Sequence, residues 1–143
     1  MCFSFKKTKG LPPPAYLQEI KAIQIQDILK NQFPTANLYL SDSIYKTTTI
    51  DELMRFLKDD KTNEYRYVSE YMDCDDFSYH LMGSIHNIEW GALPFGIIWL
   101  LKPNGAHAMN IFIDNQHGVY LIEPQNDIIQ VFPSNWTAYL III

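Results

Sequence analysis

Apolar residues recur at near-helical spacing from Ala15 to Gln32. Ile20, Ile23, Ile25, Ile28 and Leu29 mark one face, and Pro34 ends the pattern. Asn37 to Leu40 reads as a short strand. Thr49 can cap a helix from Ile50 to Leu57, with Glu52 near the capping-box position. Glu64 to Val68 alternates aromatic with polar residues, a strand pattern. Asp73 then reads as the N-cap of a helix that carries Cys74 in its first turn and continues through Phe77, Leu81 and Met82.

Beyond that helix the period changes from helical to strand-like. Ala92 to Leu101, Ala106 to Ile113, Val119 to Ile122 and Ile128 to Phe132 are rich in Ile, Val, Leu and aromatics. The separators are turn formers: Pro103-Asn104-Gly105, Asp114-Asn115, Gln116-His117-Gly118 and Gln125-Asn126-Asp127. The pattern predicts an antiparallel meander. Thr137 to Ile143 is either one more strand or an apolar end through which copies of the chain associate. Helices followed by an antiparallel sheet give an α+β architecture, with the Cys74 helix packed on the sheet.

The chain has 143 residues, enough for one domain with a core that needs no staple. We divide it into a flexible basic and proline-rich arm, residues 1–14, and a single domain, residues 15–143. The net charge of -5 and the lack of a basic patch argue against nucleic acid as a partner. The longest apolar run, Phe95 to Leu101, is too short to span a bilayer, so no membrane partner is expected. The start of the chain lacks the apolar run of a secretion signal, which suggests a cytoplasmic or virion-associated protein. The two cysteines, Cys2 and Cys74, do not make a disulfide framework.

Three segments carry the chemistry: Tyr71-Met72-Asp73-Cys74-Asp75-Asp76-Phe77, then Gly105-Ala106-His107-Ala108-Met109-Asn110, then Tyr120-Leu121-Ile122-Glu123-Pro124-Gln125. A thiol attacks as the thiolate, which a helix N-terminus and a nearby imidazolium favour. The imidazole in turn needs an acceptor on its second nitrogen. Cys74, His107 and Glu123 supply these parts, His107 and Glu123 from neighbouring strands. Gln125 shares the parity of Glu123 and is a polar helper. Asn110 is a rival for the third role, although its spacing from His107 turns it to the opposite face. Trp90 is expected to cover the ion pair. Asp73, Asp75 and Asp76 oppose thiol activation by their charge, serve as caps, and are candidate ligands for a divalent ion. They lack the glycine and bidentate glutamate of an EF-hand loop.

In order and content these blocks resemble the papain-like and transglutaminase-like cysteine enzyme superfamily. Within it they are most similar to the C-terminal cysteine-protease domain of the fairy-ring mushroom agglutinin and to related bacterial and phage domains. The resemblance covers residues 38–132. It implies a papain-like fold and a small cysteine hydrolase, a peptidase or amidase with Cys74 as nucleophile, His107 as base and acid and Glu123 as orienting acid. It implies an acyl-thioester intermediate and a peptide substrate. No cofactor is required; calcium is the one that the resemblance suggests, at Asp73, Asp75 and Asp76. Three other readings stand beside it: a peptidoglycan amidase of the NlpC or CHAP type, an inactive structural or binding module of a phage particle, and an acyl transferase.

Overall fold

A computed structural model describes residues 10–143. Strand β1 (Gln18–Lys21) runs directly into helix α1 (Ala22–Gln32). Strands β2 (Asn37–Tyr39) and β3 (Ile44–Thr47) follow, then α2 (Ile50–Asp59) and a 3-10 turn (Thr62–Glu64). Helix α3 (Cys74–Ile85) leads into β4 (Phe95–Lys102), β5 (Gly105–Ile113), β6 (Val119–Glu123), β7 (Ile128–Gln130) and β8 (Thr137–Ile142). Among the described residues no helix is long and apolar enough to cross a membrane.

Six strands form one sheet in the order β2-β8-β4-β5-β6-β7, and β1 pairs with β3 in a separate two-stranded sheet. The wholly antiparallel sheet of the sequence reading is corrected here, because β2 lies parallel to β8, with Asn37 opposite Leu140. The apolar tail is not a sticky end for association either. Strand β8 is inserted between β4 and β2, and Ile141 and Ile143 are fully buried within the chain's own core.

The helix expected from Ala15 begins only at Ala22. Gln18 to Lys21 pair with Ile44 to Thr47, which draws those residues into extended backbone. Ile20, Ile25 and Leu29 are buried, but Ile23 is 58% exposed. Glu64 to Val68 does not form a strand. It belongs to the 3-10 turn and a loop that carries a Val68–Met72 bridge. Helix α2 starts where expected: the Thr49 side chain accepts the Glu52 N–H at 3.3 Å, a cap worth about 1 kcal/mol.

The sheet has a core on each face. Helix α1 covers one, where Ile25 and Leu29 pack with Ile98, Met109, Ile111 and Leu121. On the other, Leu53, Phe56 and Leu57 of α2 and Leu81 and Ile85 of α3 pack with Phe95, Phe112 and Ile122. This second layer fixes α3 against β5 and so places its N-terminus.

The proline-rich segment lies on α2. Arg55 donates to the carbonyls of Pro12 (3.2 Å) and Pro13 (3.1 Å), and the Ala15 N–H donates to Glu52 (3.0 Å). Most of the arm assigned to residues 1–14, including Cys2 and its lysines, lies outside the described residues.

Candidate functional site

Cys74 is the first residue of α3. The helix starts there because Asp73 leaves extended backbone and its N–H donates to Asp76 Oδ2 at 3.2 Å, half of a reciprocal cap. Ser78 Oγ donates back to the Cys74 carbonyl at 2.8 Å, and the Asn110 side-chain amide donates to the Ser78 and Gly96 carbonyls, both at 3.0 Å. These bonds tie the first turns of α3 to β4 and β5.

His107 stands near the start of β5, two residues beyond Gly105, whose positive φ of 133° shapes the hairpin turn. Its Nε2 lies 2.7 Å from Glu123 Oε2 at the end of β6. Both side chains are well covered, at 14% and 18% exposure. With the carboxylate accepting, Nε2 carries the proton and Nδ1 is left as the basic nitrogen. Glu123 Oε1 also accepts the Gln125 backbone N–H at 3.4 Å, so Gln125 contributes its main chain.

Cys74 and His107 line one cleft of about 190 Å³, together with Asp75, Ala106, Ala108, Trp99 and Tyr139. The small side chains of Ala106 and Ala108 on either side of His107 leave this space open. Trp99 pairs across the strands with Ala108, and Tyr79 of α3 sets its ring edge-on to Trp99 at 6.0 Å.

The thiol is half-buried, and burial is the main reason that it is held above its ordinary value. The backbone N–H of Ala108 beside the sulfur pulls the other way, and the Asp73 and Asp75 charges push it up again. Asp75 is itself raised, first by its hydrogen bond with the Asp73 carboxyl and then by burial.

Of the three aspartates, Asp73 and Asp75 join Cys74 in offering ligand atoms within 4.8 Å of one another, a spacing that one cation could bridge. Asp76 does not join them, because its carboxylate is turned to the Asp73 N–H. Trp90 is corrected as cover for the ion pair. It is buried beneath α2, with its ring 5.0 Å from that of Phe56 and 4.9 Å from the Arg55 guanidinium. Trp99 and Tyr139 wall the cleft instead. Asn110 is fully buried and bridges main-chain carbonyls, away from the cleft. The signal for Trp99 was its cross-strand position beside the Ala-His-Ala run.

No protein in the curated collection matches the chain. A solved structure described as a PSL1a–E64 complex is similar with a TM-score of 0.76 and 26% identity, over 87% of this chain and 51% of that one. Polyporus squamosus lectin, described as bound to the human-type influenza-binding epitope Neu5Aca2-6Galb1-4GlcNAc, is similar with a TM-score of 0.72 and 25% identity, over 87% of this chain and 49% of the lectin. The chain therefore spans about half the length of these relatives.

These likenesses replace the papain-like and transglutaminase-like assignment, both as a family and as a fold. They also overturn the reading of a cysteine hydrolase acting on peptides or peptidoglycan; the alternative of a structural or binding module comes closer to them. The order of a cysteine, a histidine and an acid is shared by many unrelated proteins and does not name a family. The fold is that of a lectin-type domain with its strands in a mixed sheet, and the family model that matches, over residues 17–143, is described as the ricin-type beta-trefoil lectin C-terminal domain. The chain belongs to the ricin-type beta-trefoil lectin C-terminal domain family.

Proposed function

We propose that the chain is the C-terminal domain of a carbohydrate-binding lectin, and that what this domain adds is a thiol centre at Cys74. The glycan partner is suggested by the epitope named for Polyporus squamosus lectin, which shares this fold. The thiol centre is suggested by one observation above the others: the His107–Glu123 pair at 2.7 Å lies in the same cleft as Cys74.

In this reading Glu123 orients the ring and fixes its tautomer, and His107 Nδ1 takes the thiol proton when a ligand is in place. The ion pair so formed offsets the burial and the neighbouring carboxylates that hold the thiol above its ordinary value.

E64, named with the first relative, is the direct probe. It carries an epoxide. The Cys74 sulfur attacks a ring carbon, a C–S bond forms as the C–O bond breaks, and the His107 imidazolium returns its proton to the released oxygen. Intact-mass and peptide analysis after incubation should show one adduct on Cys74. The adduct should be absent in Cys74→Ala and formed much more slowly in His107→Ala. No adduct, or an adduct formed as fast without the imidazole, would refute the thiol centre. Titration of the protein with Neu5Aca2-6Galb1-4GlcNAc tests the glycan half separately, and absence of binding to that and to a broader glycan panel would refute it.

A further inference from the structure

We infer that the cleft beside Cys74 selects ligands that place a positively charged group between Asp75 and the aromatic wall formed by Trp99 and Tyr139. This deepens the proposed thiol centre and rests on it. The cleft of about 190 Å³ has room for one such group next to the sulfur. Its lining combines a carboxylate, Asp75, with two aromatic side chains, and Tyr79 extends the aromatic surface outward. Tyr79 is 53% exposed and Tyr139 41%, so ring surface is open to a ligand.

Cations are attracted to aromatic faces, and most strongly to tryptophan. Elsewhere this protein supplies its own: Lys46 lies over Tyr16, Arg55 over Trp90 and Lys102 over Trp136. Among the described residues no lysine or arginine lies over Trp99, Tyr79 or Tyr139, and neither Asp73 nor Asp75 forms a salt bridge. The cleft thus presents aromatic and anionic surface with no internal cation to satisfy it. A ligand cation supplies the missing charge.

Two methanethiosulfonate reagents of similar size test this, one bearing a trimethylammonium group and one a sulfonate. Each forms a mixed disulfide with the thiolate and releases a sulfinate. The protein carries Cys2→Ser so that Cys74 alone reports, and glutathione gives the intrinsic ratio of the two reagents. The cationic reagent should be preferred at Cys74 over that reference by about ten-fold, the order that one charge contact and one ring contact supply. Asp75→Asn should reduce the preference several-fold, as should Trp99→Leu. The ratio cancels any change in the thiolate fraction, because both reagents meet the same sulfur. Asp59→Asn removes an equal charge away from the cleft and should leave the ratio unchanged.

A ratio equal to that of glutathione overturns the inference while leaving a reactive thiol. So does a drop in Asp59→Asn as large as in Asp75→Asn, which would assign the effect to the overall field. A thiol inert to both reagents overturns the thiol centre and this inference together.

Discussion

Asp127→Asn should remove a pH dependence built into the junction of α2, α3 and the β6–β7 turn. Asp127 sits in that turn at φ 60° and accepts Asn63 Nδ2 at 2.6 Å. Burial, then the neighbouring Asp60 charge, raises its carboxyl from 3.8 to about 6. Asp60 is held as an acceptor by the Thr62 N–H at 2.8 Å and by the Ser84 hydroxyl. A carboxyl raised in the folded state gives stability that is complete below its unfolded value and is lost as pH rises through about 6.

At about 1.4 kcal/mol per pH unit, the whole effect for a dry site would be about 3 kcal/mol. The side chain is only half-buried, so water screening reduces it to about 1 kcal/mol, or about 3–5 °C in melting temperature for a domain of this size. Asparagine keeps the acceptor for Asn63 and tolerates the positive φ, so it isolates the charge. Melting curves followed by circular dichroism from about pH 4 to about pH 8 should show wild type falling relative to Asp127→Asn, with the difference growing between 3.8 and about 6 and level above that. Parallel curves across that range would refute the reasoning.

Glu123→Gln retains the shape of the His107 partner but not its charge, so labelling of Cys74 by E64 should slow by at least about ten-fold with an unchanged melting temperature. Asn110→Leu strips the donor from the Ser78 and Gly96 carbonyls inside the core and should cost about 2 kcal/mol in urea unfolding. Gly96→Ala places a Cβ 1.8 Å from the Ile142 carbonyl oxygen, so β4 and β8 must separate; a loss of about 3 kcal/mol, or failure to fold, should appear in the same assay.

Features set by nearby residues were legible in the sequence. The helix start at Cys74 follows from the flanking aspartates, and the β4–β5 hairpin from Pro103-Asn104-Gly105. Features set by distant partners were not. Gln18 to Lys21 continue a helical pattern without a break, and only pairing with β3 makes them a strand. Trp90 and Trp99 look alike in one dimension; cross-strand register alone puts Trp99 beside Ala108 and leaves Trp90 under α2. His107 and Glu123 meet because β5 and β6 pair in a register that turn lengths restrict but side-chain packing selects. The family was not legible from the three chemical blocks, since a thiol, an imidazole and an acid constrain local chemistry and leave ancestry open.

Strand β8 has a consequence for the order of assembly. Strand β2 finds its neighbour only when Asn37 meets Leu140, so closing that pair spans most of the chain. Loop-closure entropy makes such a contact late and slow. Until it forms, the outer edge of β8 stays bare, and before β8 itself pairs the β4 edge is bare too, flanked by Ile97, Ile98 and Leu100. Fragments cut short of Thr137 would therefore retain an open apolar edge and aggregate, and refolding yield should depend more steeply on protein concentration than melting temperature does.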